Sequence, residues 1–181
     1  MVKKYGGYVM NFDFLPIKSL TKMNSNFLSK CSEDSIEVQP YFLHHNHPLI
    51  EEILKNLNNN FNPQSSESIG LDLMTKTIKN VCEVDFLKQL NYKDCNFSPK
   101  ILPKTSVCPI DNSQYRKLYD PSRTKLMLRK IEESDSLAVK LWTLKAGTEN
   151  LGDYLFNTSF YALSGKLCPV TMEFLGTNKH F

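Results

Sequence analysis

No apolar run in these 181 residues approaches the roughly 20 needed to cross a bilayer. A dense basic tract is missing too. The net charge of +3 is spread along the chain, which gives nucleic-acid binding no footing. None of the five cysteines forms a Cys-x-x-Cys pair, so zinc and thioredoxin-type chemistry are not indicated. Met1-Val2-Lys3-Lys4 leads straight into a glycine pair, unlike a signal peptide. No internal repeat is visible. With 41% hydrophobic and 23% charged residues, the chain is too apolar for disorder and long enough for one domain with a sizeable core.

Cys31, Cys82, Cys95, Cys108 and Cys168 admit two readings. They are buried free thiols, or they form one or two disulfides in an oxidising compartment, Cys82 and Cys95 being the best pair by proximity. Asn96-Phe97-Ser98 and Asn157-Thr158-Ser159 would be glycan acceptors in a secretory protein. Both hints lean towards a secretory lumen.

The stretch from Lys4 to Phe14 organises the rest. A twin glycine feeds an apolar run that reads as the first strand. Residues two apart on a strand share a face. Asn11 and Asp13 are therefore expected on one face, Phe12 and Phe14 on the other. An acidic pair at that spacing suits a divalent metal carrying a nucleotide diphosphate. Here Asn11 supplies no charge.

Downstream, Leu20 to Met23 is expected as a short helical turn and Asn24 to Asp34 as loop. Glu37 to Leu43 is strand-like, split or pushed to an edge by Pro40. His44, His45 and His47 follow, either as metal ligands or as a strand-to-helix loop in which Pro48 opens the next helix. Helices are expected over 48–59 and 71–84. Glu51 lies four residues before Lys55 in the first, and Asp72 in the first turn of the second. Lys100 to Leu102 and Leu137 to Trp142 read as strands and Cys108 to Ile110 as extended. Residues 115–119, 121–132 and 154–166 read as helical. Alternating strands and helices give an α/β layer fold.

Six landmarks in order make the chain similar to the α-1,4-glycosyltransferases, the family of globotriaosylceramide (lactosylceramide 4-α-galactosyl) synthase. Lys4-Tyr5-Gly6-Gly7 with Asn11-Phe12-Asp13-Phe14 resembles its KYGG…DxDF segment, and Leu15 to Asn24 the continuation. Gly70-Leu71 with Thr75 and Cys82 resembles its G-P-x-x-x-T…C helix. Pro109-Ile110 resembles Y-P-I, Ala138-Val139-Lys140-Leu141-Trp142 resembles A-V-H-x-W, and Cys168-Pro169 with Thr171 resembles C-P-x-T.

The resemblance implies a GT-A-like fold, a sheet flanked by helices, truncated at its N-terminus. Residues 1–34 would end the DxD sugar-binding region and 35–181 form the C-terminal domain. It implies a UDP-sugar donor, Mn²⁺, and transfer of galactose or N-acetylgalactosamine to a galactose-ending glycolipid or glycan in α-1,4 linkage. It also implies the lumenal side of the Golgi membrane, reached through an N-terminal anchor missing here. Asp13 would hold the metal, with Asn11 and Lys140 at the other ligand positions. Gly7, Gly70, Asp72 and Trp142 would be possible substrate contacts. Asn11 and Lys140 depart from the family pattern, since an amide is a poor ligand for a hard dication and an ammonium cannot ligate. Either the Lys140 ammonium stands in for the metal at the diphosphate, or the chain is a truncated, catalytically dead relative that binds or scaffolds.

Overall fold

Lys4 to Phe14, expected as one strand, is broken up in the computed structural model of the chain, which describes residues 1–20, 25–91, 95, 99–148 and 157–170. The expected helical turn beyond Leu20, Asn24, the sequon at Asn96, the start of the helix expected from Tyr154, and the tail from Thr171 lie outside the described residues. A short helix, α1 (Val2–Tyr5), comes first, then β1 (Gly7–Val9) and β2 (Phe14–Pro16). Gly6 lies between α1 and β1 at φ +67°, and a Cβ there would come within 2.6 Å of the His45 backbone nitrogen. Only glycine fits.

Asn11 to Asp13 forms a turn between β1 and β2. The Asp13 N–H donates to Asn11 Oδ1 at 3.2 Å and the Phe14 N–H to Asn11 O at 3.2 Å. Asparagine makes this bond readily because its side chain imitates a backbone carbonyl. The alternation expected of a strand is therefore lost: Phe12 is fully exposed and Phe14 buried.

β1 is the edge of a four-stranded sheet of order β1-β4-β3-β5, with β3 (Phe27–Ser29), β4 (Tyr41–Leu43) and β5 (Lys100–Leu102). The β3–β5 pair is parallel and the others are antiparallel. β3 lies within the stretch expected as loop. All three of its residues are buried, so it has no polar face to show a period of two. A separate antiparallel ladder joins β2 to β6 (Ala138–Lys140), with Phe14 opposite Lys140.

Helix α2 (Pro48–Asn60) starts where Pro48 fits the first helical position and His47 caps it. Its Leu49 packs with Leu28, Ile36, Leu43, Met74 and Ile78 in the first core cluster. Each such fully buried side chain contributes roughly 1.5–3 kcal/mol. Leu54, on the same helix, is exposed. Lys55 pairs with Glu52 rather than Glu51, and Glu51 pairs with Lys3. Helix α3 (Leu71–Val81) packs on the same core through Met74 and Ile78. Its buried Thr75 hydroxyl accepts from the Ile36 N–H at 2.9 Å.

The C-terminal half has a second cluster of Ile110, Leu118, Tyr119, Met127, Ile131, Val139, Ala146 and Leu163. It gathers α4 (Thr124–Glu133), α5 (Thr143–Thr148) and α6 (Ser159–Leu167). Cys108 to Ile110, expected as extended, is an irregular buried bend. A third cluster, Phe14, Cys31, Val107, Cys108 and Ala138, sits between the two halves. It contains one of two disulfides, Cys31–Cys108, with Cα atoms 5.4 Å apart; the other is Cys82–Cys95 at 5.2 Å. Both separations suit a disulfide. Cys168 is free and exposed.

Candidate functional site

The β2–β6 ladder brings the Asn11–Asp13 turn beside Lys140, Leu141, Trp142 and Thr143. The Leu141 N–H donates to Asp13 O at 2.7 Å. Asp13 Oδ1 accepts from the Thr143 N–H at 2.7 Å and from its hydroxyl at 2.8 Å. The carboxylate thereby caps the first turn of α5, where partial positive charge gathers.

Lys140 meets Glu37, from the loop before β4. Its Nζ donates to Glu37 Oε2 at 2.9 Å, and the two side chains are only 14% and 13% exposed. The ammonium also lies 4.5 Å from the centre of the Trp142 ring and 5.4 Å from that of Phe14, a cation–π arrangement on two sides. Glu37 is held by its own N–H, which donates to Ser29 O at 2.8 Å.

Trp142 occupies the left-handed region at φ +58°, a conformation rare for a bulky residue and concentrated at functional sites. Its indole N–H donates to Ile110 O at 3.2 Å, and its ring is half-buried. Tyr119 lies beneath, its hydroxyl donating to Leu141 O at 2.6 Å. Burial, with the Asp13 charge adding, pushes its phenol up to about 12. Tyr119 stays protonated and acts as a fixed donor.

A Cβ on Gly70 would stand 3.1 Å from Val38 Cγ2, next in the chain to Glu37. Of the expected residues, Asn11 and Asp13 share one turn and Lys140 and Trp142 lie in the stretch bonded to it, while Gly70 is linked only to Val38. Gly7 lies at the start of β1, opposite Leu43, with open space where a side chain would be. Asp72 sits in the first turn of α3, where its N–H donates to Glu67 O at 3.1 Å. The expected shared strand face of Asn11 and Asp13 is corrected to a turn, because the Asn11 side chain bonds its own backbone.

Three participants carried no sequence signal. Glu37 meets a partner 103 residues away, Thr143 is an ordinary residue after a tryptophan, and Tyr119 read only as the end of the helical stretch 115–119. The three histidines do not converge. His44 and His45 are exposed, while buried His47 accepts from the Leu49 N–H through Nδ1 at 3.2 Å. Asn157 is exposed just before α6, and Thr158 caps that helix by accepting from the Tyr161 N–H at 3.1 Å.

The donor set does not fit a hard divalent cation. Asn11 offers an amide oxygen already bonded to the Asp13 N–H, Asp13 commits Oδ1 to Thr143, and Lys140 is a cation. Among the described residues, no group of three or more His, Cys, Asp or Glu side chains is placed to hold a metal ion.

Comparison with known proteins finds one family model, described as the alpha-1,4-glycosyltransferase conserved region, matching residues 42–175. No curated protein and no solved structure matches.

Proposed function

The chain belongs to the α-1,4-glycosyltransferase family, and from that premise we propose that it binds a UDP-sugar at the seam around Asp13, Lys140 and Trp142. The transfer would pass galactose or N-acetylgalactosamine to a galactose-ending glycolipid or glycan. In that step the bond from the anomeric carbon to the diphosphate oxygen breaks. A bond to the acceptor hydroxyl oxygen forms, and the hydroxyl proton is released. The observation that carries this reading is the meeting of the 11–13 turn with residues 140–143, fixed by the Asp13–Thr143 bonds.

Trp142 offers a half-buried aromatic face of the kind that packs on the apolar side of a sugar ring. A lumenal Golgi setting is the compartment proposed with this function. Two disulfides support an oxidising environment. Among the described residues no helix is long and apolar enough to cross a membrane.

A second reading, a relative that binds without transferring, is favoured by one observation: Asp13 and Lys140 both have internal partners. The test is incubation with each UDP-sugar and a lactose-ended acceptor, following UDP release and the trisaccharide by mass spectrometry. Acceptor-dependent release supports transfer. UDP-sugar binding without any product supports the second reading, and no binding of either UDP-sugar sinks both.

A further inference from the structure

We infer that Lys140 is a built-in cation for a diphosphate, held in readiness by Glu37, so that this chain binds the anion without a divalent metal. The inference rests on the donor reading above only for the identity of the anion.

Three observations carry it. The first is the mismatch between the donor set and a hard cation, described above. The second is the setting of Lys140, an ammonium 14% exposed with, among the described residues, one carboxylate partner and two aromatic faces. An ammonium has three N–H donors, and the one bond to Glu37 leaves two for an incoming oxygen anion. Lysine binds phosphate as a point charge, without the fixed fork that arginine needs. The third is the position of Lys140 opposite Phe14 in the ladder. Its backbone neighbours Leu141 and Thr143 are tied to Asp13, so the charge is placed by the sheet and not by a loop.

Glu37 has the complementary task. A buried ammonium without a counter-ion would be costly, and the Glu37 carboxylate is that counter-ion while no ligand is present. A diphosphate carries more negative charge than one carboxylate and competes for the same ammonium. Removing the Glu37 charge should therefore tighten anion binding, the reverse of what a ligand-contacting residue would do.

The sequence has one tryptophan, Trp142, whose ring centre lies 4.5 Å from the Lys140 ammonium. Its fluorescence reports on this site alone. The full chain, in excess chelator, is titrated with inorganic pyrophosphate and separately with uridine diphosphate, with calorimetry in parallel. Saturable binding of both without metal is expected. Lys140→Gln should weaken it about tenfold or more, Lys140→Arg should restore most of it, and Glu37→Gln should tighten it. Circular dichroism checks each fold. The double variant Glu37→Gln/Lys140→Gln, which leaves no unpaired buried charge, must also lose binding.

Binding that appears only with Mn²⁺ overturns the inference and leaves the donor reading standing. Pyrophosphate binding that depends on Lys140, with uridine diphosphate no tighter, upholds the inference and removes the donor reading. Equal binding by the Lys140→Gln variant, or no binding of either anion under any condition, overturns the inference.

Discussion

Asp13 and Thr143, 130 residues apart, are joined twice: Asp13 Oδ1 accepts from the Thr143 N–H at 2.7 Å and from the Thr143 hydroxyl at 2.8 Å. Asp13 is therefore a helix cap at the start of α5, besides being the candidate ligand residue of the 11–13 turn. Its two tasks can be separated by mutation.

Thr143→Val removes the hydroxyl donor and keeps the backbone bond. Asp13→Ala removes both. The first should cost about 1 kcal/mol of stability in urea unfolding, and the second more. If both variants unfold at the wild-type midpoint with an unchanged slope, the cap contributes nothing and Asp13 is free to serve a ligand alone.

His47 makes stability pH-dependent. Burial, with the His44 charge adding, lowers its proton affinity below the ordinary imidazole value of 6.5, and its Nδ1 must be unprotonated to accept from the Leu49 N–H. The folded chain thus binds this proton less readily than the unfolded one. Its contribution is whole above the ordinary imidazole value and is lost as pH falls below about 6.5. The Tm should drop on acidification through that range. His47→Asn, which keeps a capping acceptor, should flatten this part of the profile. A variant as pH-sensitive as the parent would exonerate His47.

The two disulfides should differ in worth. On the chain-entropy account, closing the 77-residue separation of Cys31–Cys108 stabilises by about 4.5 kcal/mol and the 13-residue separation of Cys82–Cys95 by about 3 kcal/mol. Paired serine substitutions at Cys31 and Cys108 should lower stability more than those at Cys82 and Cys95. The reverse order in denaturant unfolding would show that the bond between the halves constrains less than its loop length implies.

What the sequence revealed and what it hid have a common cause. Helix α2 was legible because Pro48 and a run of leucine and isoleucine at helical spacing are local signals, and strand β5 because Pro103 ends it. The Cys82–Cys95 pair was legible because its separation of 13 favours it, whereas Cys31 and Cys108, 77 residues apart, carry no such local cue. Strand β3 was hidden by being buried throughout, whereas β6 lies within the stretch 137–142 expected as a strand, Ala138 facing the third cluster and Val139 the second. The break in the opening strand followed from one side chain, Asn11, bonding its own backbone. Of the site, the landmarks Asp13, Lys140 and Trp142 could be picked from order along the chain. Glu37 could not, since nothing local marks a carboxylate whose partner lies 103 residues on.

That hidden carboxylate changes what a repaired site should do. Asn11→Asp keeps an acceptor for the Asp13 N–H, so the turn can persist while a charge is added. Lys140→His removes the ammonium and leaves the Glu37 carboxylate without its counter-ion. The double variant then has three carboxylates and an imidazole around one seam, the oxygen and nitrogen donors Mn²⁺ accepts. Calorimetry should find Mn²⁺ binding in the double variant and little in the parent. Saturating metal should also raise its unfolding free energy, by about 2.7 kcal/mol at a hundredfold excess over Kd. Adding Glu37→Gln should weaken that binding, because the third carboxylate is then lost. A folded double variant that ignores Mn²⁺ would mean that these backbone positions do not converge closely enough to chelate. The departures at Asn11 and Lys140 would then be consequences of a lost metal site and not its cause.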